Sequence, residues 1–329
     1  MQNYNNENKR KFISEILTQM KKEEYAFNFN EIKSKESKEI QKNISYYFSK
    51  RRKLITIIKD IHNYLNFNKD TFYSAVYYMD IVSNKLIEES FENFETYDFK
   101  NLAISCLILS SKFTDNDPNI PNVKLYLYDK NNKNNQNILK EKIDNLKEFE
   151  IKCLNKLSYK LNYSNVFSFL KMFYCYGFIF KIDFEIFKKI TKENVNDNAI
   201  NTNEAEDFLL EKFMPFVEFA YKKCDEIIYI ITLEEIFFIE NFNNNDNDNN
   251  ITKEFNSFKI ACGVIYYCRE IFYDKIKDES LIENEKENEK EKENKLHNNQ
   301  ISEIWGNLLQ DLYAIKFSDF EKEYKLIKE

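Results

Sequence analysis

The chain has 329 residues, a length that suggests two domains of ordinary size. Hydrophobic residues make up 43% of it, enough for a sizeable core, yet it holds only three glycines and three prolines. Tight turns draw on both, so a doubly wound sheet or a β-sandwich is excluded and an all-α protein with Asn-rich loops is expected. The net charge of −7, with acids and bases interleaved, offers no basic face for direct nucleic-acid binding. Gly177, Gly263 and Gly306 stand too far apart for a Gly-rich phosphate or dinucleotide loop. His62 and His297 leave almost no material for a His-based metal site or a Ser/His/Asp triad. No catalytic residue, metal or cofactor is therefore expected, and the chain reads as a soluble, non-enzymatic binding protein.

Residues 1–45 read as a polar helical extension, with 8–45 helical but outside the core. They carry no signal peptide. Residues 51–66 place Leu54, Ile57, Ile58, Ile61 and Leu65 on one helical stripe. Residues 71–86 do the same with Phe72, Ala75, Val76, Met79, Val82 and Leu86, with Asp70 or Thr71 as the expected N-cap. The segment 100–113 (KNLAISCLILSSKF) is apolar nearly all round and carries small residues at Ala103, Ser105, Cys106, Ser110 and Ser111. Such a helix belongs at the centre of a bundle, where small side chains let neighbours approach. Pro118 and Pro121 break the chain after it, and 122–128 can add a short helix. Residues 138–157 form an amphipathic helix through Ile138, Leu139, Ile143, Leu146, Phe149, Cys153, Leu154 and Leu157.

In the second half, 165–180 is strongly apolar, 205–232 reads as one long helix with an irregularity near Pro215, and 254–276 again mixes large and small apolar residues. Residues 301–325 form one or two end helices around Trp305, Leu308, Leu309 and Leu312. A small-residue central helix in each half suggests a duplicated helical fold. The stretches 129–137, 191–204 and 240–250 are Asn-rich and 283–299 is a Glu/Lys repeat, and none can bury enough apolar surface to order itself. The apolar run Met172–Phe180 is too short to span a bilayer. Six cysteines lie in apolar helical runs without a C-x-x-C pair, which points to reduced, buried thiols in a nuclear and cytoplasmic protein.

Four motifs in order then resemble the cyclin family. KRRKLITIIKDI (50–61) resembles the first helix of a cyclin box, DTFYSAVYYMDIV (70–82) the second and ISCLILSSKF (104–113) the third. EFEIKCLNKLSYKLNYSNVFSFL (148–170) resembles the fifth helix, its exit and the entry into a second repeat. SFKIACGVIYYC (257–268) is similar, more distantly, to the third helix of that repeat. The resemblance implies tandem five-helix bundles: a first cyclin box over 46–163 and a divergent cyclin-like domain over 164–329.

It also implies roles. Arg51 and Asp80 match the family's buried ion pair. Lys112 and Glu150 match the Lys and Glu that contact the partner kinase near its C helix. Leu54 and Ile57, with Asp60 beside them, match a shallow patch that docks substrate peptides in many cell-cycle cyclins, but Lys50 stands where that patch has its apolar anchor. The nearest subtype is the cyclin of a transcriptional or kinase-activating kinase. The implied function is a regulatory subunit that binds and activates a cyclin-dependent-type Ser/Thr kinase in cell-cycle or transcription control, with room for a third assembly subunit. The alternative is a cyclin-fold scaffold or general transcription-type factor with no kinase partner.

Overall fold

The computed structural model describes residues 2–24, 38–89, 93–115, 123–127, 136–176, 178–192, 202–234, 257–283, 313 and 315–328. Among them the regular structure is helical, with no strand. The α-helices are α1 (Gln2–Glu23), α2 (Lys38–Leu65), α3 (Lys69–Glu88), α4 (Phe99–Thr114), α5 (Gln136–Lys156), α6 (Val166–Tyr176), α7 (Lys181–Lys192), α8 (Thr202–Leu233), α9 (Ser257–Glu283) and α10 (Glu321–Lys328). The fold is all-α, as expected from the shortage of chain breakers.

Contacts divide the chain into two compact units. One holds Glu23–Phe167 with Ile230–Asn256, and the other holds Met1–Lys22, Ser168–Tyr229 and Ser257–Glu329. The first unit is built around α3 and α4, which share its most extensive contact. Every residue from Leu102 to Ser111 is buried. The small hydroxyls of α4 are satisfied inside the helix layer. Ser110 Oγ donates to the Thr71 carbonyl at 2.8 Å, and Ser111 Oγ to the Ile108 carbonyl at 2.9 Å. Small side chains thus let α3 and α4 approach without orphaning polar atoms in the core.

The helix α2 begins well before the expected residue 51. Ile40, Ile44, Tyr47, Phe48, Arg51, Leu54, Ile55 and Ile58 form one continuous buried stripe. The charged run Lys50–Lys53 conceals this stripe in the sequence, because Arg51 is itself one of its buried members. The helix α3 is capped by Asn68 and not by Asp70 or Thr71. Asn68 Oδ1 accepts the Thr71 amide at 3.0 Å, while Asn68 Nδ2 donates to Asp115 Oδ1 at 2.8 Å. This cap also ties the start of α3 to the end of α4. Residues 122–128 contribute a 3₁₀ turn, Val123–Leu127.

In the second unit, α6 to α9 enclose an aromatic core. Phe173 stacks on Phe258 at 6.2 Å and meets Tyr313 at 4.6 Å, while Phe213 packs against Phe187 and Phe272. The helix α7 falls between the two apolar segments expected here and supplies Phe187 to this core. The helix α8 runs through Pro215 unbroken. Gly263 allows α10 to cross α9 closely: a Cβ there would meet Ile327 Cδ1 at 2.9 Å and the Tyr324 amide nitrogen at 3.1 Å.

The described residues of the 8–45 segment do not all lie outside the core. Ile13 and Leu17 of α1 are buried in the second unit, where Lys21 Nζ also sits 4.3 Å from the Phe258 ring centre, and Ile40 and Ile44 are buried in the first. A polar helix needs only one or two apolar residues per turn to bury a stripe, so mean polarity is a poor guide to its packing. Five cysteines are buried but Cys175, in the last turn of α6, is exposed. Burial pushes the Cys106, Cys224 and Cys262 thiols well up, which keeps them protonated and unreactive at neutral pH. No helix among the described residues is long and apolar enough to cross a membrane. Trp305, Leu308, Leu309 and Leu312, and nearly all of the Asn-rich and charged inserts, lie outside the described residues.

Candidate functional site

Lys112 stands in the last turn of α4, where a cation complements the exposed carbonyls of the helix end. Glu150 lies on the neighbouring α5. The structure brings the two together as an inter-helix ion pair, Lys112 Nζ donating to Glu150 Oε1. Lys112 is 44% exposed and Glu150 15%. The pair therefore sits at the surface, with the carboxylate anchored and the ammonium within reach of a partner. Lys112 retains donors beyond the one it gives to Glu150, and a carboxylate can accept several hydrogen bonds.

Further contacts hold the setting of the pair. The 3₁₀ turn Val123–Leu127 contacts both α4 and α5. Its Tyr126 hydroxyl is hydrogen-bonded to Ser111 Oγ at 2.7 Å, and its ring stacks on Phe67 at 6.0 Å. Burial pushes the Tyr126 phenol up to about 12, so it stays a neutral hydrogen-bonding group at any physiological pH. Large apolar side chains adjoin both members of the pair in sequence: Phe113 is 52% exposed and Ile151 56% exposed, with Leu125 of the 3₁₀ turn also exposed. The sequence motifs mark the charges but not these three. They lie at the edges of otherwise amphipathic patterns, and only solvent exposure distinguishes them from core residues.

Arg51 and Asp80 meet in the core as a two-pronged pair, Nε to Oδ1 at 2.8 Å and Nη2 to Oδ2 at 2.9 Å. Arg51 is 2% exposed and Asp80 5%. The third prong, Nη1, donates to the Thr232 carbonyl at 2.8 Å. Tyr47, one turn before Arg51, donates its hydroxyl to Asp80 Oδ1 at 2.6 Å. Burial, then the Asp80 charge, holds the Tyr47 phenol well above its ordinary value. This cage joins α2 to α3 and so fixes the layer on which α4 rests.

A second cage lies in the other unit, and no motif in the sequence pointed to it. Asp183 of α7 and Arg269 of α9 are both essentially fully buried and pair at 2.6 Å and 2.8 Å. Arg269 also donates to the Phe178 carbonyl at 2.6 Å, and Tyr273 donates its hydroxyl to Asp183. A tyrosine one helical turn from a buried arginine is common to both cages and is the one signal that could have flagged the second.

Leu54, Ile57 and Asp60 do not form an open apolar patch. Leu54 is buried within its own unit, Ile57 is half-buried and Asp60 is exposed, while Lys50 Nζ lies 5.3 Å from the Tyr46 ring centre. Among the described residues no cluster of His, Cys, Asp or Glu is grouped to hold a metal ion.

No curated protein and no solved structure matches the chain. A family model does. Residues 15–162 match the cyclin N-terminal domain, a stretch that begins within α1, includes both the Arg51–Asp80 cage and the Lys112–Glu150 pair, and ends just after α5. This stretch of the chain is thus similar to a cyclin N-terminal domain.

Proposed function

We propose that the chain is the regulatory subunit of a cyclin-dependent-type Ser/Thr protein kinase, which it binds through the Lys112–Glu150 face and thereby activates. The observation that carries this reading is the inter-helix ion pair itself, exposed at the end of the central helix α4 inside the stretch that matches a cyclin N-terminal domain. A Lys and a Glu held against each other offer donors and acceptors to a partner's main chain, and Phe113, Leu125 and Ile151 offer apolar area beside them. A kinase is active when its C helix sits so that its Glu pairs with the catalytic-site Lys. A rigid face that binds better to that C-helix position shifts the kinase population towards it. On this reading the second unit is a divergent second cyclin-like repeat organised around α9. The protein then works in nucleus and cytoplasm, in cell-cycle or transcription control, with room for a third assembly subunit.

Co-purification tests it. The full chain should bring down a Ser/Thr kinase and raise its activity, and the double variant Lys112→Ala/Glu150→Ala should lose both while keeping its helical circular dichroism and melting temperature. A wild-type chain that leaves every candidate kinase unbound and unactivated would sink the reading. Loss of helicity in the variant would make the pair structural.

A further inference from the structure

The helix α8 carries more apolar surface than its own unit covers. Its core face is complete: Leu209, Phe213, Phe216 and Ala220 are buried, with Phe213 and Phe216 packed on Phe187 of α7. A surface helix needs one such band, and its other sides are ordinarily polar. On α8 a second apolar stripe runs beside the first. Leu210, Met214, Val217 and Tyr221 recur at helical spacing and share one side of the helix. Leu210 and Met214 are each 44% exposed, and Val217 and Tyr221 are half-buried. At the far end Tyr221 meets Tyr174 and Phe178 edge-on, both at 4.9 Å, which gives the stripe an aromatic floor. Single exposed apolar side chains are ordinary on a protein surface, whereas a stripe at this spacing is what a partner helix recognises. Along the adjoining edge run Asp207, Glu211 and Glu218, all exposed and each one turn from a member of the stripe; Lys222 ends the row.

We propose that this side of α8 is a docking face for a basic amphipathic helix, a partner segment with Leu-type side chains at i, i+4 and i+7 and Lys or Arg along one flank. Charge complementarity identifies the occupant. The partner's apolar ridge packs along Leu210, Met214 and Val217, and its cations meet the carboxylate row, which fixes the direction in which the helix lies. The chain's own residues 301–312 carry Trp305, Leu308, Leu309 and Leu312, but they hold Glu303 and Asp311 and no cation, so they would set like charges against that row. A second copy of the chain, at −7, meets the same repulsion. The inference rests on none of the residues of the Lys112–Glu150 face and needs no kinase.

Fluorescence anisotropy on the full chain tests it, with a short fluorescein-labelled peptide carrying Leu at helical spacing and Lys on one flank. The peptide should bind, and rising salt should weaken the binding without abolishing it, because the apolar contact survives screening. Leu210→Ala/Met214→Ala should weaken it about tenfold or more and keep the wild-type melting curve, since both side chains are exposed. Glu211→Lys/Glu218→Lys should weaken it as much and should confer binding to the same peptide with Glu in place of Lys. Four outcomes overturn the inference: no binding by the wild-type chain, equal binding of a peptide of the same composition with its Leu residues scattered round the helix, equal binding of a peptide of residues 301–312, or a wild-type dimer in sedimentation that Leu210→Ala/Met214→Ala dissociates.

Discussion

The two buried cages use the same three side chains with opposite chain polarity. In the first unit the tyrosine precedes the arginine, Tyr47 and Arg51 on α2, and the carboxylate is Asp80 in the middle of α3. In the second the arginine precedes the tyrosine, Arg269 and Tyr273 on α9, and the carboxylate is Asp183 in the first turn of α7. Asp80 therefore clamps two helices that already exist, whereas Asp183 also accepts the Phe180 amide at 2.6 Å and so helps α7 begin. Each arginine gives a remaining N–H to a backbone carbonyl, that of Thr232 or of Phe178. The comparison teaches that a buried Arg–Asp pair in this chain is a packing solution reached twice. It is not in itself a mark of the cyclin N-terminal domain. The surface pair Lys112–Glu150 is of another kind, because its members have water as an alternative partner.

The largest expected effects come from emptying one side of a cage. Asp183→Ala should destabilise the protein by about 3–5 kcal/mol, and Asp80→Ala by a similar amount, since each strands a buried guanidinium. Urea denaturation read by circular dichroism measures both. If Asp183 does start α7, Asp183→Ala should in addition cost helicity that Asp80→Ala does not. Replacing the whole pair, Asp183→Leu with Arg269→Met, should cost less than Asp183→Ala alone, because no charge remains unmatched. A double replacement worse than the single one would mean the second cage is a net source of stability.

Removing only the hydroxyl is a smaller test. Tyr47→Phe and Tyr273→Phe should each cost about 1.5–3 kcal/mol, the scale of a hydrogen bond to a charged acceptor. The same groups set an alkaline limit. Tyr47 and Tyr273 are both raised in the folded state, chiefly by burial, so their contribution is fully present below the unfolded phenol value of about 10. It is lost as pH rises above that value, because only the unfolded chain then releases the proton readily. Stability should fall above about pH 10, and less steeply in Tyr47→Phe.

Gly263→Ala separates helix propensity from packing. In an exposed helix it would stabilise by about 1 kcal/mol. Here the added Cβ meets the backbone of α10, so the expected result is a loss of about 1–3 kcal/mol and a lower melting temperature. The smallest stability effect belongs to the surface pair. Lys112→Ala should change unfolding free energy by no more than about 1 kcal/mol, as exposed ion pairs usually do, while removing the expected kinase contact.

The sequence by itself determined the fold class and the places where it is most regular. Few glycines and prolines with a persistent helical period leave only a bundle, and 100–113, apolar all round with small residues, had to lie at its centre. It also determined which charges merit attention, because Arg51, Asp80, Lys112 and Glu150 each fall at a fixed point in a motif. Tertiary structure alone decided the rest. The start of α2 at Lys38, the Asn68 cap held by Asp115, and the burial of Ile13 and Leu17 all depend on what a neighbouring helix presents, and local pattern does not carry that information. Asp183 and Arg269 are 86 residues apart and read singly as ordinary solvated charges. Only folding makes them a pair, because a charge is tolerated in the core when its partner arrives with it.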